Sequence, residues 1–141
     1  MSRIYWDTML FVYWLEDHPQ HSERVGVIRQ KMRTRGDTLC TSALTLGEVL
    51  TGVYKQGDQA VADQVKEVLH SSIVELLPFT SATADGYARI RARNRVAPAD
   101  AIHLATASVA GVDLFLTNDR RLHGLVIPGV DFIAGLDVNL F

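Results

Sequence analysis

Short stretches rich in β-branched and aromatic residues alternate along the chain with longer stretches whose apolar residues recur every three or four positions. The first pattern predicts strands and the second predicts amphipathic helices. Strands are predicted at residues 3–6, 38–42, 73–77, 112–117 and 130–133. Helices are predicted at residues 9–16 and 21–35, on both sides of residues 57–58, at 80–96 and at 98–110. Strands and helices therefore follow one another along most of the chain.

The helix boundaries carry signals of their own. Gly57 suits the left-handed position that follows a helix, and Asp58 suits the cap of the next helix. Pro98 fits a first helical turn, and Gly111 ends that helix. No hairpin signal such as Asn-Gly joins two strands, so the alternation predicts an α/β fold in which helices flank both faces of a parallel sheet. We expect residues 1–141 to form one domain of this kind.

The composition narrows the class of protein. Of 141 residues, 48% are hydrophobic and 21% are charged, which excludes a disordered chain, and the net charge of −2 disfavours binding to nucleic acid by charge alone. A single cysteine, Cys40, excludes a disulfide framework and predicts a cytoplasmic location. We expect no signal peptide or membrane span, because Asp7 interrupts the apolar N-terminal stretch and residues 101–117 divide into a helix and a strand.

Four acidic residues fall where this fold would bring them to one edge of the sheet. They are Asp7 after the first strand, Glu48 early in the helix after the second strand, Asp100 in the first turn of the helix before the fourth strand, and Asp119 just past the fourth strand. In open α/β sheets, ligands bind at the carboxyl ends of the strands. Asp100 can reach this edge because the preceding helix, 80–96, has already carried the chain across the sheet.

Each of the four acids also has an ordinary structural role open to it. Asp7 could cap a helix, Glu48 could complete a capping box with Thr45, Asp100 could complement a helix dipole, and Asp119 could form a turn. A cluster of carboxylates is nevertheless costly unless a cation neutralises it. Ligands that are all oxygen favour Mg²⁺, with Mn²⁺ as a possible substitute.

Four segments of the chain carry these acids. They read Ile-Tyr-Trp-Asp-Thr at 4–8, Thr-Ser-Ala-Leu-Thr-Leu-Gly-Glu at 41–48, Pro-Ala-Asp-Ala-Ile-His-Leu-Ala-Thr-Ala at 98–107 and Leu-Thr-Asn-Asp at 116–119. In order, spacing and flanking residues, they resemble the four acidic motifs of PIN-domain ribonucleases. The length of the chain resembles that of the VapC-type toxins of bacterial toxin-antitoxin systems.

The resemblance implies a catalytic metal site made by Asp7, Glu48, Asp100 and Asp119. It also implies cleavage of single-stranded or loop RNA, a homodimer and a partner antitoxin. A carboxylate-bound Mg²⁺ would activate water and stabilise the developing charge, so no side-chain nucleophile is required. The chain departs from the family pattern at Met9, where Asn or Ser is common after the Asp-Thr pair.

Several neighbours of the acids are candidates for supporting roles. Thr8 and Thr117 could orient water or carboxylates in a second shell around the metal, or could cap backbone groups where strands end. His103 lies one turn after Asp100 and could assist proton transfer or hold a carboxylate, although its apolar neighbours favour a partly buried, hydrogen-bonded histidine.

Arginines close to the acids are candidates for binding RNA. Arg93 and Arg95 precede Asp100, and Arg120 follows Asp119. Arginine forms bidentate contacts with phosphate, so these side chains could bind the RNA backbone. The alternative is a solvated or salt-bridged surface.

Two other functions compete with the nuclease. A receiver or haloacid-dehalogenase type of phosphoryl transfer also needs an aspartate after the first strand. It usually needs a second nearby aspartate and a lysine, whereas Met9 stands nearby and the lysines are Lys31, Lys55 and Lys66. A catalytically silent PIN-like module that binds RNA or protein would be marked by loss of one of the four acids, and all four are present.

Overall fold

The computed structural model describes residues 1–16, 18–137 and 139, and this part of the chain contains five strands and six α-helices. The strands are β1 (Arg3–Trp6), β2 (Thr38–Ser42), β3 (Glu75–Leu77), β4 (Val112–Leu116) and β5 (Val130–Ala134). The helices are α1 (Thr8–Leu15), α2 (Ser22–Arg35), α3 (Ala43–Gln56), α4 (Gln59–Leu69), α5 (Ser81–Arg93) and α6 (Pro98–Ala110). No helix within these residues is long and apolar enough to cross a bilayer.

The five strands form one sheet in the order β3-β2-β1-β4-β5, and every pair is parallel. Tyr5 in the central strand is level with Cys40 on one side and with Phe115 on the other. From β1 the chain builds outward to β2 and β3, then returns to add β4 and β5 on the opposite side. The order therefore reverses at β1, and such a point is where ligands bind in open α/β sheets. The predicted α/β fold with a parallel sheet is confirmed.

The sheet is buried on both faces. Along β1 the side chains alternate, so that Ile4 and Trp6 join a core with helices α1 to α4, while Tyr5 joins a second core with α5 and α6. All three residues are at most 1% exposed. This double burial explains why β1 reads as an apolar run rather than as an alternating pattern.

The predicted junction between α3 and α4 is confirmed. Gly57 has φ of 73°, a left-handed conformation that costs glycine nothing because it has no Cβ. The Asp58 side chain accepts a hydrogen bond from the backbone N–H of Val61 at 3.1 Å and thus caps α4.

Other predicted boundaries need correction. Pairing of β3 with β2 begins at Glu75, so the strand starts two residues later than predicted, and Ile73 is exposed. Helix α5 ends at Arg93, because Asn94 adopts an extended conformation. A short 3₁₀ helix, Arg120–Leu122, was not predicted. The remaining predicted ends of helices and strands agree with the structure to within about one residue.

Candidate active site

The four acids predicted to converge line one cavity at the carboxyl ends of β1 and β4. Its lining residues are Asp7, Thr8, Met9, Tyr13, Glu48, Ala99, Asp100, His103, Asn118 and Asp119. This cavity lies at the sheet edge where the strand order reverses, as the fold requires of a ligand site.

Asp7 joins the site to the sheet. Its backbone N–H donates to the Leu116 carbonyl at 3.1 Å, which fixes the end of β1 beside the end of β4. One carboxylate oxygen, Oδ1, accepts from the N–H of Met9 at 3.1 Å and caps α1, and the other accepts from the hydroxyl of Thr117. Burial raises the pKa of Asp7, and the Thr117 hydrogen bond opposes that rise. Asp7 is therefore a helix cap and a cavity residue at once.

Glu48 enters the cavity from the second turn of α3. Its Oε1 accepts hydrogen bonds from the Thr8 hydroxyl at 2.6 Å and from His103 Nε2 at 2.8 Å. The bond from His103 is the main reason why the pKa of Glu48 lies below its ordinary value. Ser42 caps α3 through the N–H of Thr45, so Glu48 forms no capping box.

Asp100 lies in the first turn of α6, partly buried. Burial raises its pKa, and the neighbouring charge of Asp119 raises it further. Glu48 contributes in the same direction. The acids on α3, α6 and the segment after β4 thus repel one another across the cavity.

Asp119 is paired with a cation from its own segment. Its Oδ1 accepts from the backbone N–H of Arg121 and from Nε of that residue, each at 3.0 Å, and its Oδ2 accepts from Nη2 at 2.6 Å. This pairing lowers the pKa of Asp119. Arg121 follows Asp119 by two positions, but nothing in the sequence indicated that it holds both carboxylate oxygens.

The donor set fits a hard divalent cation in its chemistry, since four carboxylates from separate elements face one cavity. As the side chains lie, no three His, Cys, Asp or Glu residues in the described part of the chain form a group that could hold a metal ion. The hydroxyl of Thr117, the ring of His103 and the guanidinium of Arg121 each hold one of the carboxylates. Such a cation could be bound by all four carboxylates, those of Asp7, Glu48, Asp100 and Asp119, once it replaces Arg121 as the partner of Asp119.

His103 and Tyr5 belong to the site as well, a role that the sequence indicated only in part. His103 is 4% exposed. Its Nδ1 lies 2.7 Å from the Tyr5 hydroxyl, and its Nε2 lies 2.8 Å from Glu48 Oε1. The sequence favoured a partly buried, hydrogen-bonded histidine. It gave no sign of Tyr5 as the partner, because 98 residues separate the two.

The three predicted RNA-binding arginines lie in different places. Arg120 lines a second cavity that shares Asn118 with the acidic one. The other residues around that cavity are His21, Arg24, His123, Leu136 and Asp137. Arg93 lines a third cavity between α5, α6 and the segment 126–128, which includes none of the four acids. Arg95 is exposed in the segment between α5 and α6.

Several solved structures share this fold over almost their whole length. A chain of VapBC2 from Rickettsia felis, solved with a DNA fragment from its promoter, has a TM-score of 0.75 and 17% identity, with 94% of this chain and 98% of that chain covered. A chain of DNA-bound VapBC from Salmonella typhimurium has a TM-score of 0.66 and 23% identity, with coverage of 96% and 99%. The sarcin-ricin loop cleaving toxin VapC20 from Mycobacterium tuberculosis has a TM-score of 0.67 and 16% identity, with coverage of 87% and 96%.

No curated protein sequence matches this chain. The family model of the PIN domain matches residues 4–126, which include all four acids of the cavity. By this match, which spans well over half of its length and agrees with the parallel sheet described above, the chain belongs to the PIN domain family.

Proposed function

We propose that this protein is a metal-dependent endoribonuclease that hydrolyses RNA phosphodiester bonds. The observation that carries the proposal is the convergence of Asp7, Glu48, Asp100 and Asp119 on one cavity at the switch point of the sheet. Members of the PIN family are nucleases, which supports the class of reaction.

The carboxylates of Asp7, Glu48, Asp100 and Asp119 would hold Mg²⁺, with Mn²⁺ as a substitute. A divalent cation supplies a water of lowered pKa and neutralises charge that develops on the phosphate. Thr117 holds Asp7, and Thr8 holds Glu48, so each hydroxyl orients one carboxylate of the set.

RNA would approach over the arginines near the cavity. Arg120 lines the cavity next to the acids, where a guanidinium can bind the phosphate that follows or precedes the scissile one. Arg93 and Arg95 are exposed and would contact more distant phosphates of a longer RNA.

The similarity in fold to chains of VapBC complexes supports a further proposal about biology. This protein would be the toxin of a toxin-antitoxin pair in the cytoplasm, acting as a homodimer that a cognate antitoxin binds and silences. Expression of the wild type alone should then arrest growth, and expression of Asp7→Asn should not. Co-expression of the protein encoded by the neighbouring reading frame should relieve the arrest.

The direct test is cleavage of single-stranded RNA by purified protein in Mg²⁺ or Mn²⁺. Asp7→Asn should abolish cleavage, because it removes one ligand charge while leaving the helix cap in place. The matched control is Asp63→Asn, which neutralises an exposed aspartate on α4, outside the cavity, and should cleave as the wild type does.

Two results would count against the nuclease. Cleavage that persists after treatment with EDTA would refute the role of a cation. Binding of RNA without cleavage in either metal would identify the alternative, a catalytically silent PIN-like binding module.

A further inference from the structure

A chain of hydrogen bonds runs from the core of the sheet to one acid of the cavity. Tyr5 lies in the central strand β1 and is fully buried. Its hydroxyl lies 2.7 Å from His103 Nδ1, and His103 Nε2 lies 2.8 Å from Glu48 Oε1. The three residues come from three elements, β1, α6 and α3, so this series of hydrogen bonds forms only when the domain is folded.

The protons in this series of hydrogen bonds can be assigned from the chemistry of its two outer members, Glu48 and Tyr5. An ionised carboxylate only accepts hydrogen bonds, so His103 Nε2 must carry a proton where it meets Glu48. In a neutral imidazole the other nitrogen, Nδ1, is then an acceptor, and the Tyr5 hydroxyl is the donor that faces it. Burial raises the pKa of Tyr5 far above neutral pH, so the hydroxyl keeps its proton.

The Glu48 carboxylate therefore selects the tautomer of His103, and the Tyr5 hydroxyl complements that tautomer by donating to Nδ1. In the opposite tautomer, Nδ1 would carry the proton and Nε2 would turn a lone pair toward the Glu48 carboxylate, which repels it. The Thr8 hydroxyl also lies 3.2 Å from Nε2, but it is closer to Glu48 Oε1, at 2.6 Å, and its single proton can serve only one of the two.

We propose that Tyr5 and His103 are positioning residues that hold Glu48 in the orientation required to bind the catalytic cation. The proposal rests on the metal-dependent nuclease proposed above. Within the described residues, both hydrogen bonds that Glu48 accepts end on Oε1, from Thr8 and from His103, so Oε2 is the oxygen presented to a cation. His103 thereby acts through Glu48, whose Oε1 it holds.

Packing offers a simpler role for the same two residues. The Tyr5 ring stacks on Phe115 with centroids 4.9 Å apart and meets the His103 ring edge-on at 5.9 Å. If packing were their whole purpose, removing the Tyr5 hydroxyl would leave the site unchanged, because phenylalanine keeps the ring. The hydroxyl alone thus separates the two roles.

The first measurement is the tautomer of His103, read from the ¹⁵N chemical shifts of the full-length, metal-free protein. The wild type should show the tautomer with its proton on Nε2. Tyr5→Phe should keep the proton on Nε2, because Glu48 still requires it, and should shift the ¹⁵N resonance of Nδ1, because that nitrogen loses its hydrogen-bond donor. A wild-type His103 with its proton on Nδ1 would overturn the positioning role, regardless of the measured affinity for a cation.

The second measurement is Mn²⁺ affinity, by calorimetry, of the wild type and three variants. His103→Leu should bind Mn²⁺ about tenfold to 100-fold more weakly, the usual loss when the hydrogen-bonding partner of a metal ligand is removed. Tyr5→Phe should also bind it more weakly, but by a smaller factor, because its hydroxyl acts on Glu48 only through His103. His103→Gln should recover much of the affinity, because its amide N–H can still donate to Glu48. Val65→Ala, a core change on α4 away from the cavity, should lower stability and leave the affinity unaltered.

The outcomes separate the two proposals. Unchanged affinity in Tyr5→Phe and His103→Leu would overturn the positioning role while leaving the nuclease intact. A wild type that binds no Mn²⁺ would refute the nuclease, and the positioning of a cation ligand would fall with it. In that case a proton on Nε2 would still establish that Tyr5 and His103 orient Glu48.

Discussion

Asp100 and Glu48 line the same cavity, yet their surroundings move their pKa values in opposite directions. Burial and the charge of Asp119 raise the pKa of Asp100, whereas the hydrogen bond from His103 lowers that of Glu48. A raised pKa in the folded state means that ionisation of Asp100 opposes folding at neutral pH, while a lowered pKa means that ionisation of Glu48 favours it.

Neutralising these two acids should therefore change stability with opposite signs. In metal-free buffer at pH 7, Asp100→Asn should be at least as stable as the wild type, and Glu48→Gln should be less stable. The excess stability of Asp100→Asn should shrink as the pH falls toward the ordinary aspartate pKa, where the wild-type acid becomes neutral too. The deficit of Glu48→Gln should persist down to the ordinary glutamate pKa and shrink only below it, because the lowered pKa keeps Glu48 ionised in the folded state. Thermal melts over this pH range measure both effects. A loss of stability in Asp100→Asn would instead make Asp100 a partner of the α6 dipole.

Mg²⁺ adds an independent check on the same variants. A ligand that binds only the folded state raises stability by mass action. The wild type should gain more from added Mg²⁺ than Asp100→Asn or Glu48→Gln does. An equal gain in Asp100→Asn would remove that residue from the proposed metal site.

Arg121 competes with any cation for Asp119. Its side chain is 82% exposed, so the ion pair contributes little and can open readily. Arg121→Gln should raise Mn²⁺ affinity by at most about fivefold, which corresponds to the ~1 kcal/mol upper range of an exposed pair. Arg120→Gln is the matched control, because it removes the same charge one position away without touching Asp119. Equal affinities in the wild type and Arg121→Gln would show that this pair does not restrain the site.

At the scale of elements, the sequence predicted what local patterns determine. The start of α4 follows from Asp58 and the two ends of α6 follow from Pro98 and Gly111, and the structure confirms them. The start of β3 depends on where β2 offers a partner, and the apolar Ile73 misled the prediction because it lies outside that pairing. Contacts between elements, such as Tyr5 with His103, depend on packing that no local pattern records.

Two glycines make the effect of local geometry testable. Gly52 lies inside α3 with open space around the position of a Cβ, whereas Gly129 has φ of 85° and a Cβ there would collide with the Ser108 carbonyl. Gly52→Ala should raise stability by about 0.5–1 kcal/mol, the difference in helix propensity. Gly129→Ala should lower stability, because alanine is strained at this positive φ and its Cβ would collide with the Ser108 carbonyl. Denaturant unfolding measures the two, and a stabilised Gly129→Ala would contradict the described turn.

At the scale of the whole molecule, the strand order decides where chemistry can occur. Because β1 is central and the chain adds strands first on one side and then on the other, the segments after β1 and β4 are neighbours although more than 100 residues separate them. The acids of α3 and α6 lie beside the same crevice. The sequence predicted this convergence because the element order implies it. It indicated only that His103 could hold a carboxylate, without saying which, and it gave no sign that Arg121 holds Asp119.

The proposed path of RNA extends this argument across the surface of the molecule. Each lost phosphate contact should reduce the salt dependence of single-stranded RNA binding by about 0.7 in the slope of log K against log salt concentration. Arg120→Ala should show this loss even with a short RNA that spans the acidic cavity and the adjoining one, because Arg120 lines the adjoining cavity. Arg93→Ala and Arg95→Ala should show it only with a longer RNA, since Arg93 lines a separate cavity. Titrations at several salt concentrations with the two RNA lengths distinguish these cases. Slopes that are unchanged in all three variants would place the RNA path on another surface.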